Sequence, residues 1–260
     1  MPAPLQGRRI VVTRPRDQAE ELVRALEERG AAVVRFPVIR IDPEPDLDAL
    51  HDALAVPDRY RWIAFTSQNA VQVVCDRLES WGLTLGETPV AAIGPATAAA
   101  LRRRGITPAL VPDEHVAESL LRWLLDTGGL RGARVLLPAA REAREVLSDG
   151  LRAAGALVDV IPVYRTVRET DVGAVPAHAL AAEIQGGSIA AVTFTASSAV
   201  RHFVDLMGRE AATAPRFVAA VIGPVTAATA RELGVSGAEP LEASPFTVPA
   251  LVEALCRRFS

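Results

Sequence analysis

The sequence is poor in cysteine. Its two, Cys75 and Cys256, each fall in an apparent helix. That excludes a disulfide scaffold and reads as reduced, partly buried thiols of a cytosolic protein. The four histidines, His51, His115, His178 and His202, are scattered. His51, His115 and His178 sit in polar or connecting segments, and His202 lies in a helical stretch after Ser198. No CxxC, HExxH or His/Cys cluster appears, so a metal site has little support. No apolar run reaches ~18 residues before Gly, Pro or charge breaks it, so no membrane span is expected. Arg8 and Arg9 open the chain, but strand and helix patterns follow at once with no signal-peptide core. Cytoplasmic residence is the expectation. A formal net charge of -3 gives no overall pull toward nucleic acid. All 28 of the chain's Lys and Arg residues are arginines, and locally they can still bind anions. Neither a GxGxxG nor a Walker A loop is present, which disfavours nucleotides.

What is present is a duplication. Over 260 residues, 50% of them hydrophobic, there is room for two small domains with real cores. Arg8–Arg40 aligns without a gap with Ala133–Arg165 at an offset of 125, pairing Arg16 with Arg141, Gly30 with Gly155, Pro37 with Pro162 and Arg40 with Arg165. IAFTSQNAV, Ile63–Val71, aligns with VTFTASSAV, Val192–Val200, at an offset of 129. IGPATAAALRRRG, Ile93–Gly105, meets IGPVTAATARELG, Ile222–Gly234, at the same offset of 129. A weaker match joins Glu118–Leu124 to Pro249–Leu255 at 131. The shared order makes this one duplication with small insertions.

Each half alternates short apolar runs with segments of helical period. Ile10–Thr13 reads as a buried strand. Ala19, Leu22, Val23 and Leu26 recur at helical spacing, and Gly30 follows as a left-handed stop. Val33–Phe36, Trp62–Phe65 and Val90–Ile93 read as strands. Asn69–Leu78, Ala96–Arg104 and Val116–Leu125 read as helices. Asp17 and its equivalent Glu142 are placed in the first turn of a helix, where the dipole favours them. The expected fold class is α/β: parallel sheets flanked by helices, doubly wound and flavodoxin-like.

Ligands of open α/β sheets collect beyond the C-terminal strand ends. The loops expected there are Thr13–Arg16, Thr66–Asn69, Gly94–Thr97, Pro138–Arg141, Thr195–Ser198 and Gly223–Thr226. Most enter a helix N-terminus, whose free N–H groups and dipole favour anions. Thr66, Ser67 and Thr195 serve equally well as helix caps, and Gly94 and Gly223 as tight-turn residues. Repeat symmetry breaks at two places. Thr13-Arg14-Pro15 faces a bland Pro138-Ala139-Ala140, and Tyr164 faces Ile39. Tyr164 is one of two tyrosines. It fits either a core position or a hydroxyl donor in a cleft.

VVTRP, FTSQNAV, IGPATAAAL, PVYRT, FTASSAV and IGPVTA, in this order along essentially the whole chain, resemble the uroporphyrinogen-III synthase family. The resemblance implies two flavodoxin-like domains joined by a two-stranded linker, with the active site in the cleft between them. Domain one would be discontinuous, 1–38 and 166–260. Domain two would be 41–164, with linker strands 38–41 and 163–166. A contiguous plan would cut near Gly128-Gly129 instead. The implied reaction closes hydroxymethylbilane, a linear tetrapyrrole with eight carboxylates, to uroporphyrinogen III. Water is lost and ring D inverted, by way of an azafulvene cation and a spiro intermediate, without metal or organic cofactor. The substrate would be handed over by hydroxymethylbilane synthase to a monomer with no nucleic-acid or membrane partner.

The resemblance assigns Tyr164 to the departing hydroxyl. It assigns Thr13, Arg14, Thr66, Ser67, Gly94, Ser197, Ser198, Gly223, Pro224 and Thr226 to substrate binding. Arg141, Arg165 and Arg201 are weaker anion candidates. Ala196, where the first copy has Ser67, leaves open which hydroxyl of the second copy meets substrate. The alternative reading is a non-catalytic two-domain protein that binds a small anion. A Rossmann-type enzyme lacks its glycine fingerprint here, and a response-regulator module lacks an acidic pair beside Asp17.

Overall fold

A computed structural model describes residues 3–114 and 116–260. Met1, Pro2 and His115, the last read above as a connecting histidine, lie outside the described residues. The strands are β1 (Arg9–Val12), β2 (Ala32–Arg35), β3 (Ile39–Pro43), β4 (Tyr60–Phe65), β5 (Val90–Ala92), β6 (Arg134–Ala140), β7 (Leu157–Arg168), β8 (Ala191–Phe194), β9 (Val218–Val221) and β10 (Leu241–Glu242). The helices are α1 (Glu20–Glu27), α2 (Asp48–Ala55), α3 (Gln68–Trp81), α4 (Pro95–Arg103), α5 (Ala117–Asp126), α6 (Val146–Ala153), α7 (Ala177–Gln185), α8 (Ser197–Met207), α9 (Arg209–Ala212), α10 (Pro224–Glu232) and α11 (Val248–Phe259). Among the described residues no helix is long and apolar enough to cross a membrane.

The chain divides into two compact units, Met1–Arg40 with Val167–Ser260, and Ile41–Thr166. The first holds a sheet ordered β10-β9-β8-β1-β2, with every pairing parallel. The second holds β3-β7-β6-β4-β5, and its β7-β6-β4-β5 pairings are parallel. β3 runs against β7: the Glu169 N–H donates to the Val38 carbonyl, and the Glu44 N–H donates to the Val163 carbonyl.

Side-chain alternation explains why both sheets are doubly covered. In β1, Ile10 and Val12 face a core with Leu22, Leu26, Leu251 and Leu255 from α1 and α11. Val11 faces the other side, with Phe194, Phe203 and Phe217. In β4, Ile63 and Phe65 pack on α3 and α4, while Trp62 and Ala64 meet Leu120, Leu124 and Leu151 from α5 and α6. Phe194 and Phe203 meet edge to face at 5.2 Å, an arrangement that adds to their burial energy.

Three expectations need correction. Pro138–Ala140, expected as a loop, is the end of β6. Proline is tolerated there because β4 pairs with β6 only as far as Leu136, so beyond it β6 needs no N–H on that side. Glu142 is not in a helix, since α6 begins at Val146 and Glu142 sits in the preceding turn. Asp17 lies in a short 3-10 turn ahead of α1. Helices α2 and α7 were not recognised from sequence.

Candidate functional site

The C-terminal strand ends of each unit form a rim of loops. In the second unit, β4 ends at Phe65 and the chain turns through Thr66 and Ser67 into α3. Ser67 caps this helix, its Oγ accepting from the Ala70 N–H at 3.0 Å. The same oxygen accepts from the Tyr164 hydroxyl at 3.0 Å. Tyr164 stands on β7, where Ala140 at the end of β6 is its strand partner. Only 6% of its surface is exposed. Burial pushes the Tyr164 phenol above its ordinary pKa, Ser67 and Asn69 oppose the rise, and Glu142 adds to it. The group is therefore a protonated phenol at neutral pH, held at a fixed position by a helix cap. Thr66 is half-buried, with no side-chain hydrogen bond among the described residues.

Two glycine-proline turns enter α4 and α10, with Pro95 and Pro224 at the first helical positions. Their glycines differ. Gly223 has φ 82, where a side chain is strained, whereas Gly94 is extended at φ -175. Thr226 is 5% exposed and its repeat partner Thr97 4%. Besides these threonines, the turn offers backbone N–H groups. The first intrahelical donors are Ala98 and Ala227, so the N–H groups of Ala96, Thr97, Val225 and Thr226 make no intrahelical bond.

In the first unit, Thr13 sits inside the sheet. It is fully buried and donates to the Thr193 carbonyl at 2.7 Å, while the Thr193 hydroxyl returns to the Val11 carbonyl at 3.0 Å. This reciprocal pair fastens β1 to β8 and takes Thr13 away from the rim surface. Arg14 follows it, half-buried, with its Nε shielded and unpartnered. Desolvation lowers its pKa, while Glu21 and Asp17 act in the opposite direction. An unpartnered guanidinium of this kind is a strong receptor for a carboxylate. At the end of β8, Ala196 takes the N-cap position of α8 and makes no side-chain cap. Ser197 and Ser198, in the first turn, are half-buried, and among the described residues their hydroxyls make no hydrogen bond.

The weaker arginine candidates are all engaged. Arg141 forks onto Glu44, its Nε at 2.8 Å from Oε1, and holds that carboxyl below its usual range. Glu44 is 4% exposed and carried no sequence signal. Arg165 faces Asp42 and Arg201 faces Glu232, each at 3.8 Å. His51 and His178 are exposed. His202 is on α8 with a shielded Nδ1 3.8 Å from Asp205. Among the described residues no group of His, Cys, Asp and Glu could hold a metal ion.

The family model for uroporphyrinogen-III synthase HemD matches residues 20–253. Uroporphyrinogen-III synthase of Synechococcus elongatus is 30% identical over 97% of this chain and 96% of its own. A putative uroporphyrinogen-III synthase of Methanothermobacter thermautotrophicus is 31% identical over 95% and 96%. Two solved structures share the fold. A mutant uroporphyrinogen III synthase of Thermus thermophilus has a TM-score of 0.66 at 21% identity, covering 96% of this chain and 98% of the other. Uroporphyrinogen-III synthetase of Helicobacter pylori has 0.59 at 18%, covering 95% and 97%.

Proposed function

The chain belongs to the uroporphyrinogen-III synthase family, and we propose how its rims carry out that family's reaction, the closure of hydroxymethylbilane to uroporphyrinogen III with loss of water. The step that needs help is breakage of the hydroxymethyl C–O bond. The pyrrole nitrogen supplies the electron pair, leaving an azafulvenium cation, and the departing oxygen needs a proton or a donor to leave as water. Tyr164 is assigned to that donor. The observation that carries this reading is its phenol, buried, kept protonated and fixed on Ser67. The substrate's carboxylates have fitting receptors: Arg14, the hydroxyls of Thr66, Ser197 and Ser198, and the open N–H groups entering α4 at Gly94 and α10 at Gly223 and Pro224. Donors fixed at strand ends and helix N-termini restrain a flexible chain of pyrroles. Restraint of that kind favours ring D inversion over the unassisted closure that gives the type I isomer.

We place the reaction in the cytoplasm, with substrate received directly from hydroxymethylbilane synthase, since free substrate closes by itself. The test is Tyr164→Phe in an assay that separates the two isomers. The variant should fold and lose turnover on the order of 10²-fold. An unchanged rate would remove Tyr164 from the chemistry.

A further inference from the structure

In the first unit, the segments entering β1, β8, β9 and β10 surround a cavity, at the end of the sheet opposite the rim. Its volume is about 660 Å³, and its walls include Arg8, Arg9, Arg216, Arg258, Ser236 and Phe259. Every one of the chain's 28 basic residues is an arginine, so ion pairing decides which of them are available to a ligand. Arg9 is held by Glu183 at 2.7 Å. Glu239, the carboxylate in the wall, is held by Arg231 at 2.6 Å. Among the described residues the guanidinium groups of Arg8, Arg216 and Arg258 have neither an ion-pair nor a hydrogen-bond partner. The Arg8 guanidinium is stacked over the Phe259 ring, 4.9 Å from its centroid. The Arg216 guanidinium lies beside Gly187, 3.7 Å from where a Cβ would stand.

Ser236 is an independent observation. It is 1% exposed, and its Oγ is shielded from solvent without any hydrogen-bond partner. It is also the non-glycine residue with positive φ among those described, at 61. A buried hydroxyl with nothing to bond, on a strained backbone, is costly unless something answers it. Arg258, in the last turn of α11, also offsets that helix's dipole. Arg8 and Arg216 sit on the segments that enter β1 and β9.

We propose that this cavity binds a small polyanion carrying phosphoryl or carboxylate groups, with Arg8, Arg216 and Arg258 as its charge partners and the Ser236 hydroxyl as a hydrogen-bond donor. Guanidinium forks match both oxyanions, so the chemistry is shared, and the test separates the sources. Pyrophosphate and citrate are titrated separately into the full chain at low ionic strength and followed by calorimetry. At least one should bind saturably, and the tighter of the two identifies the anion class. Arg216→Ala with Arg258→Ala should weaken binding at least tenfold, and Ser236→Ala should weaken it measurably. Arg14→Ala, on the rim, should leave it unchanged. Both arginines are exposed, so the double variant should fold and keep its synthase turnover. No saturable binding of either anion would overturn the proposal. So would binding unaffected by the double variant, or binding lost with Arg14→Ala.

Discussion

Ser67 does two things with one oxygen. It caps α3 and receives the Tyr164 hydroxyl. Ser67→Ala should therefore cost about 1 kcal/mol of stability through the lost cap. It should also lower turnover by freeing the phenol, with KM changing less than kcat. Ser67→Thr, which keeps both functions of the oxygen, should restore most of both. An equal loss in Ser67→Thr would show that the hydroxyl is not what matters. The tyrosines give a second check. Burial raises the pKa of both Tyr60 and Tyr164, Tyr60 being 3% exposed and donating to Asp159 at 2.8 Å. Ordinary tyrosines are half ionised near pH 10. At that pH the folded protein should show little phenolate absorbance. Both groups are neutral below the unfolded pKa, so their contribution to stability is intact there and is lost as pH rises through the raised folded values. Half-ionisation at pH 10 in the native state would contradict this environment.

Elements decide which sequence hydroxyls are available. Thr13 and Ser67 look alike in the sequence, each a hydroxyl just past an apolar strand. Thr13 is still inside the sheet, bonded to the Thr193 carbonyl, whereas Ser67 has passed the strand end. The boundary differs by a residue or two, which hydrophobic pattern alone does not resolve. Thr13→Val should accordingly cost about 1 kcal/mol by removing a buried side-chain hydrogen bond, with little change in turnover. A large kinetic loss with full stability would return Thr13 to the substrate. The glycine-proline turns diverge in the same way. Gly223→Ala should cost about 1–3 kcal/mol, because φ 82 with ψ 157 is strained for a side chain. Gly94 was indistinguishable from it in the sequence, yet its φ carries no such penalty. Glu44, the buried partner of Arg141, was invisible because one carboxylate in the acidic, proline-rich stretch Asp42–Asp48 has no pattern that points to an arginine about a hundred positions away.

At the scale of the whole molecule, the repeat and the fold cut the chain differently. Strand β1 of the first copy lies beside β8 of the second, and β6 of the second lies beside β4 of the first. Each sheet thus takes its opening strands from one copy and its following strands from the other. A segment outside the sequence matches has a counterpart too, since Leu110 bridges Ala91 where β10 pairs with β9 in the other sheet. Periodicity made the strands and helices legible, and the duplication made their equivalence legible. Strand adjacency was not legible from either, because a parallel sheet can take neighbours from distant segments as well as from successive ones. The central claim is that these rims impose the inverted closure. Its most direct measurement supplies the chain with freshly made hydroxymethylbilane, oxidises the products and separates the isomers. Type III uroporphyrin should predominate and form faster than spontaneous closure. Type I alone, at the spontaneous rate, would contradict the account.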